Sequence, residues 1–151
     1  MPEHRRPRGL LDTSVVIDIE SLSPTQLPVE VAISAITMAE LAAGPHATTD
    51  ADECGRRQDR LQRAEAVFDP LPFDTDAARA YGRIYAAVVA SGRKARGARA
   101  VDLLIAAAAC AANLPLYTRN PDDFVGLEGL VEIIALAGQP VPVDRKGVAR
   151  P

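Results

Sequence analysis

Two cysteines, Cys54 and Cys110, and two histidines, His4 and His46, are all the soft-ligand chemistry in this chain of 151 residues. Two cysteines cannot by themselves build a disulfide framework or a zinc site. They suit a reducing compartment, and Cys110, set in an alanine-rich run, reads as a small core residue. His4 falls in an N-terminal arm and His46 in a loop, so neither has a partner that recommends it as a general base. Ser14 has no His–Asp relay either. No apolar run approaches the roughly 18 residues that span a bilayer. The residues from Pro2 to Arg8 have no apolar segment behind them of the length a secretory signal needs. A cytoplasmic protein with no membrane partner is expected. An excess of positive charge is missing as well. The formal net charge is −3, and residues 9–136 carry 11 basic against 18 acidic side chains. The ends, 1–8 and 137–151, each contribute +2. This is not the profile of a protein that coats nucleic acid, but it suits an enzyme that holds a cation with carboxylates.

What is present is enough for one domain with a real core, with 48% apolar and 25% charged residues. Residues 1–8 read as a polar, mobile arm. Leu10 and Leu11 make a short buried strand, followed by a short helix from Ser14 to Glu20. Ser21 to Pro28 is a loop by its serines and prolines, and Val29 to Ile33 is a second strand. A helix follows with Ser34 as its cap and Gly44-Pro45 as its stop. Asp50 to Phe68 is an amphipathic helix with Leu61, Ala64, Val67 and Phe68 on one stripe. Asp69 to Phe73 is a connector or edge strand. Asp74 to Ser91 is a helix with Ala77, Tyr81, Ile84, Tyr85 and Val88 on one stripe. Gly92 to Arg99 is a basic, glycine-broken loop, and Val101 to Asn113 an apolar, buried helix. Leu114 to Thr118 is a strand, Asn120 to Val125 a turn or short helix, and Val131 to Ile134 a last strand. Strands alternating with helices predict an α/β fold with a parallel sheet covered on both faces. Residues 137–151 read as a tail.

Acids stand where these strands end. Asp12 follows the Leu10-Leu11 strand, at the carboxyl edge where open α/β sheets bind ligands. Its alternative duty, shared with Ser14, is to cap the next helix. Glu40 lies in a helix whose residues from Ile36 to Ala43 are otherwise mostly small or apolar, with Thr37 and Ala43 on its own face. A solvent-facing glutamate is the plain alternative, yet this helix has almost no other polar residue with which to make a wet face. Asp102 stands at the mouth of the run Leu103 to Ala109, where a helix dipole favours an anion by about 0.3–1 kcal/mol. Asp122 and Asp123 follow the next strand, and a Pro-Asp turn accounts for Asp122. Singly, each acid is explained as well by structure as by function. Together they crowd one predicted edge, and crowded carboxylates repel unless a cation lies between them or one takes up a proton. Mg²⁺ and Mn²⁺ prefer such oxygen ligands. Metal-assisted chemistry is therefore the best reading of the residues alone.

Four stretches, in order and at matching spacing, give the chain a family likeness. They are Leu-Leu-Asp12-Thr-Ser, Ile-Thr-Met-Ala-Glu40-Leu, Asp102-Leu-Leu-Ile-Ala and Thr118-Arg-Asn-Pro-Asp-Asp-Phe124. The chain resembles the PIN-domain family over roughly residues 9–136, and in particular the VapC-type toxins of bacterial toxin–antitoxin pairs. The resemblance implies a PIN-like α/β/α sandwich with a central parallel sheet of about four to five strands. It implies a metal-dependent endoribonuclease, with Mg²⁺ or Mn²⁺ held by Asp12, Glu40 and Asp102. Where many members carry a fourth aspartate this chain has Asn120, and Asp123 is the acid placed to substitute. Thr13, Ser14 and Thr118 are candidates to orient water or phosphate, with polar capping as the alternative. Arg93, Lys94, Arg96 and Arg99 are candidates to draw in an RNA backbone, with a solvated basic loop as theirs. An RNA substrate, a VapB-type antitoxin and a homodimer follow from the same resemblance.

Other readings fit less well. A haloacid-dehalogenase-like phosphatase wants a second aspartate where this chain has Ser14. A receiver domain wants a lysine on a late strand, and Lys94 and Lys146 sit in loop and tail. A PIN-like module that binds RNA or protein without cutting has only Asn120 in its favour.

Overall fold

Leu10 and Leu11 are both fully buried although they point to opposite faces of their strand. That pair dictates a sheet with apolar cover on both sides. The computed structural model describes residues 5–137 and has such a sheet. Strands β1 (Arg8–Leu11), β2 (Glu30–Ala32), β3 (Leu116–Thr118) and β4 (Ile133–Ala135) pair in the order β2-β1-β3-β4, all parallel. Leu10 pairs with Leu116, and Leu116 with Ile133, so one face of three strands feeds one core. Leu11, Tyr117 and Ile134 feed the other. Each buried leucine contributes roughly 1.5–3 kcal/mol of apolar transfer.

Five helices cover the two faces: α1 (Thr13–Ile17), α2 (Ala35–Ala43), α3 (Ala51–Val67), α4 (Thr75–Ala90) and α5 (Ala98–Ala111). Val15, Val16, Leu41, Leu61 and Ala64 of α1, α2 and α3 meet the Leu11 face. Ile84 and Val88 of α4 meet Leu103, Ile105, Ala106 and Ala109 of α5 on the Leu10 face. The alanine run of α5 allows that close approach, because small side chains hold the helices near one another. No helix among the described residues is long and apolar enough to cross a membrane. Gly9 is forced by contact: a Cβ there would run into the ring of Tyr117.

Several expectations need correction. The first helix is shorter than Ser14 to Glu20, because it ends at Asp18 and a 3₁₀ turn takes over from Ile19 to Ser21. The loop before β2 holds another 3₁₀ turn, Pro24–Gln26. Val67 lies on the solvent side of α3, 73% exposed, and Tyr85 of α4 is 38% exposed. Val131 is buried just ahead of β4 rather than in it. Leu71 forms a single parallel bridge to Ser34, so residues 69–73 add a bridge and not a fifth strand. Residues 5–8 are tied down, unlike a mobile arm: Arg8 opens β1, and the Arg6 and Pro7 carbonyls accept from Val29 and Glu30. Residues 1–4 and the tail beyond 137 lie outside the described residues.

Candidate metal centre

In the order β2-β1-β3-β4 the chain leaves β1 toward one side for β2 and toward the other for β3. The carboxyl ends of β1 and β3 therefore flank a topological switch point, where such sheets open a crevice. Asp12 follows β1 directly and Thr118 closes β3. Both are buried, at 4% and 0% exposure.

Asp12 is both a cap and a site residue. Its Oδ1 accepts the Val15 N–H at 3.1 Å, which starts α1, and the Ser14 hydroxyl at 2.5 Å. Burial pushes its pKa up, opposed by hydrogen bonds from Ser14, Thr118 and the Val15 amide. Ser14 Oγ also accepts the Arg119 N–H at 3.2 Å, which ties the end of β3 to α1. The Arg119 guanidinium reaches on to Asp18 Oδ2 at 2.8 Å. Thr118 Oγ1 accepts the Asn120 N–H at 3.0 Å and so fixes the turn after β3.

Glu40 projects from α2, which Ser34 caps by accepting the Thr37 N–H. It is half-buried, and the outer face of this helix is made by exposed Ala39, Ala42 and Ala43. The expected absence of a wet face is thus met by alanines that simply face water. The Thr13 hydroxyl donates to Glu40 Oε1 at 2.5 Å and lies 3.1 Å from Thr37 Oγ1.

Asp102 is not at a helix mouth. Gly97 takes φ +71°, a left-handed conformation that glycine adopts without strain, and α5 begins at Ala98. Asp102 therefore sits in the second turn, beyond the reach of most of the dipole. Its carboxyl is pushed up to about 6, first by burial and then by the charges of Asp123, Glu40 and Asp12, with Arg99 opposing. Three acids from other parts of the chain thus act on Asp102. Among the described residues none of the four joins an ion pair. Nor do any three stand close enough to form a ready-made cage for an ion, as unscreened like charges would not.

The remaining candidates divide. Asp123 is half-buried in the 3₁₀ turn Pro121–Phe124, and its charge acts on Asp102 more strongly than that of Glu40 or Asp12. Asn120 is exposed at the head of that turn, and its side chain makes no capping bond there. Asp122 is exposed, and its carbonyl accepts from Arg93 Nη1 at 2.8 Å. Arg93 is therefore a clasp on the turn. Lys94 and Arg96 are exposed, and Arg99 belongs to α5, one turn before Asp102. The sequence places Thr37 on the face of Glu40 without its bond to Thr13, and it gives Arg119 no role. Thr37 lies three residues before Glu40 on its own helix face, a spacing that signals contact. No spacing rule pairs Arg119 with Asp18, since that bond needs the fold.

The PIN domain family profile matches residues 9–129. Ribonuclease VapC5 of Mycobacterium tuberculosis is 42% identical over 133 residues, 83% of this chain and 93% of that protein. The fold is similar to that in the crystal structure of VapBC-5, a toxin–antitoxin system from the same organism. The TM-score is 0.73 at 36% identity, over 86% of this chain and 99% of that one. It is also similar to FitAcB from Neisseria gonorrhoeae, with a TM-score of 0.62 at 27% identity, over 83% of this chain and 95% of that one.

Proposed function

This chain belongs to the PIN-domain family, and on that footing we propose that it is the toxin of a toxin–antitoxin pair, an endoribonuclease that hydrolyses RNA phosphodiester bonds. Asp12, Glu40, Asp102 and Asp123 hold Mg²⁺ or Mn²⁺. The donor set fits such an ion: it is all oxygen, none of its acids joins an ion pair among the described residues, and burial together with the charges of Asp123, Glu40 and Asp12 raises Asp102 to about 6. The 42% identity to Ribonuclease VapC5 over 133 residues carries the proposal. A bound hard cation supplies charge for the scissile phosphate and a water of lowered pKa.

The chain's own residues do the rest. Asp12 and Thr118 stay buried beneath the crevice, so the acidic centre has a dry floor that strengthens its electrostatics. Ser14 and Thr13 spend their protons on Asp12 and Glu40, which makes them positioning groups and not nucleophiles. Arg99, with exposed Lys94 and Arg96, offers the phosphate backbone positive charge beside an acidic centre. The similar structure of VapBC-5 is that of a toxin–antitoxin system, which supports a small VapB-type antitoxin as partner. The protein works as a homodimer on cytoplasmic RNA.

The test is cleavage of total RNA by the purified protein, with Mg²⁺ or Mn²⁺ and with chelator, alongside Asp12→Asn and Asp102→Asn. Discrete cuts are expected with the metal, lost with chelator and in both variants. The loss should exceed the about 10–100-fold that an outer-shell partner is worth. Cuts that persist in both variants would refute the site. If nothing is cut while Mn²⁺ still binds the parent, the chain is a binding module.

A further inference from the structure

Thr37 is fully buried, yet it is a threonine on a helix whose inner face is otherwise built from Leu41 and its apolar neighbours. A buried hydroxyl costs free energy unless it is hydrogen-bonded, and valine would fill the same space without that cost. Its side-chain partner is Thr13, whose Oγ1 lies 3.1 Å away. Thr13 in turn gives a short hydrogen bond, 2.5 Å, to Glu40 Oε1. A hydroxyl has one proton. Both contacts place Thr13 as the donor, but its one proton goes to the shorter, charged contact at Glu40, so the 3.1 Å contact is completed by rotation of the Thr37 hydroxyl, which gives its own proton to Thr13. We propose that Thr37 is a positioning residue for Glu40, acting through Thr13.

The chain of bonds runs from Thr37 Oγ1 to Thr13 Oγ1 to Glu40 Oε1. Thr37 and Glu40 stand one turn apart on α2, and Thr13 is the first residue of α1. The relay therefore closes a ring between two helices. It pins the rotamer of Thr13, and with it one oxygen of the glutamate, leaving Oε2 to the acidic centre. The inference rests on the metal-nuclease reading above and adds to it a residue that touches neither ion nor RNA.

The experiment is Mn²⁺ titration of the full chain by electron paramagnetic resonance, with RNA cleavage as the second readout. Thr37→Val, Thr37→Ser, Thr13→Ala and the double variant Thr13→Ala/Thr37→Val are compared with the parent. Thr37→Val should weaken Mn²⁺ binding about tenfold, the low end for an outer-shell partner, and Thr37→Ser should restore it. In cleavage, Thr37→Val should lower kcat and leave KM for RNA unchanged. The double variant should bind like Thr13→Ala alone, because a relay has one path. Should Thr37→Val not fold, Thr37→Cys, similar in size and a weak donor, replaces it with the same expectation. Parent-like binding in Thr37→Val would overturn the relay. So would Thr37→Ser failing alongside Thr37→Val, which would assign the effect to packing, or additive losses in the double variant. A parent that binds no Mn²⁺ would overturn the metal reading itself, and that failure is visible before any variant is made.

Discussion

Glu53 on α3 and Asp102 on α5 are both carboxylates on helices, and they are treated in opposite ways. Glu53 stands one turn from Arg56 and Arg57, with ion pairs of 2.8 and 3.0 Å, and these hold its carboxyl below the usual range. Asp102 is pushed up to about 6, first by burial and then by the charges of Asp123, Glu40 and Asp12. One region neutralises its charge from its own helix. The other gathers acids from the cap of α1, from α2, from α5 and from the turn after β3, and none of them joins an ion pair among the described residues. The difference separates a surface that is finished by folding from one that is completed by something bound. Composition alone cannot make this distinction, because both regions draw on the same acids.

The largest effect that sharpens the comparison concerns which residue supplies the fourth acid. Asp123 acts on Asp102, whereas Asn120 is exposed at the head of the turn. Asp123→Asn should lower metal-dependent cleavage by more than the about 10–100-fold that a partner outside the ion's ligands is worth. Asn120→Asp should change it little. A large gain from Asn120→Asp, with no loss from Asp123→Asn, would transfer the fourth position to residue 120. Cleavage of a short labelled RNA at saturating Mn²⁺ measures both.

Much of this site was legible because strand ends can be read from sequence. The Leu10-Leu11 pair demanded a doubly covered sheet, so Asp12 had to lie at its carboxyl edge, and the structure puts it there. The alternation of strand and helix gave the parallel order its basis. What escaped depended on backbone geometry or on side-chain direction. The glycine at 97 looked like a loop residue, but its φ of +71° begins α5 at Ala98, which moves Asp102 one turn inward. Val67 is expected on an apolar stripe, yet it lies on the solvent side of α3 and is exposed, while Leu61 and Ala64 are buried. Thr37 read as one more small residue of α2, because its bond to Thr13 crosses between two helices. Periodicity assigns a face; it does not say what the facing element offers.

A smaller effect follows from the raised carboxyl of Asp102. Its ordinary value is 3.8 and its folded value about 6. The folded state binds that proton more tightly, so between about pH 4 and 6 the folded state holds more protons than the unfolded one. The contribution of this group to stability is therefore greatest at low pH and falls as pH rises through that window, then levels off. In chelator, Asp102→Asn removes the titration. At pH 7.5 it should be more stable than the parent by on the order of 1 kcal/mol, the shift being discounted for a carboxylate that water still reaches. That corresponds to about 2–4 °C in Tm for a domain of this size. Below pH 4 the advantage should vanish. A variant that melts lower than the parent at pH 7.5 would mean the acids are not in conflict, and the contrast with Glu53 would collapse.

The smallest effect is on the other side of the contrast. Glu53→Gln removes the partner of Arg56 and Arg57, but Arg57 keeps a second acceptor, the Gly44 carbonyl at 2.9 Å. The pairs lie at a surface where water and salt already weaken them. Tm should fall slightly at low ionic strength and match the parent once salt is raised, with cleavage unchanged in both buffers. An effect that survives salt would show the α3 cluster to be more than a surface pair. A loss of cleavage would be more damaging, since it would join α3 to the acidic centre. The two are separate because the α3 acid is satisfied by arginines of its own helix, and a satisfied carboxylate has nothing left to offer an ion.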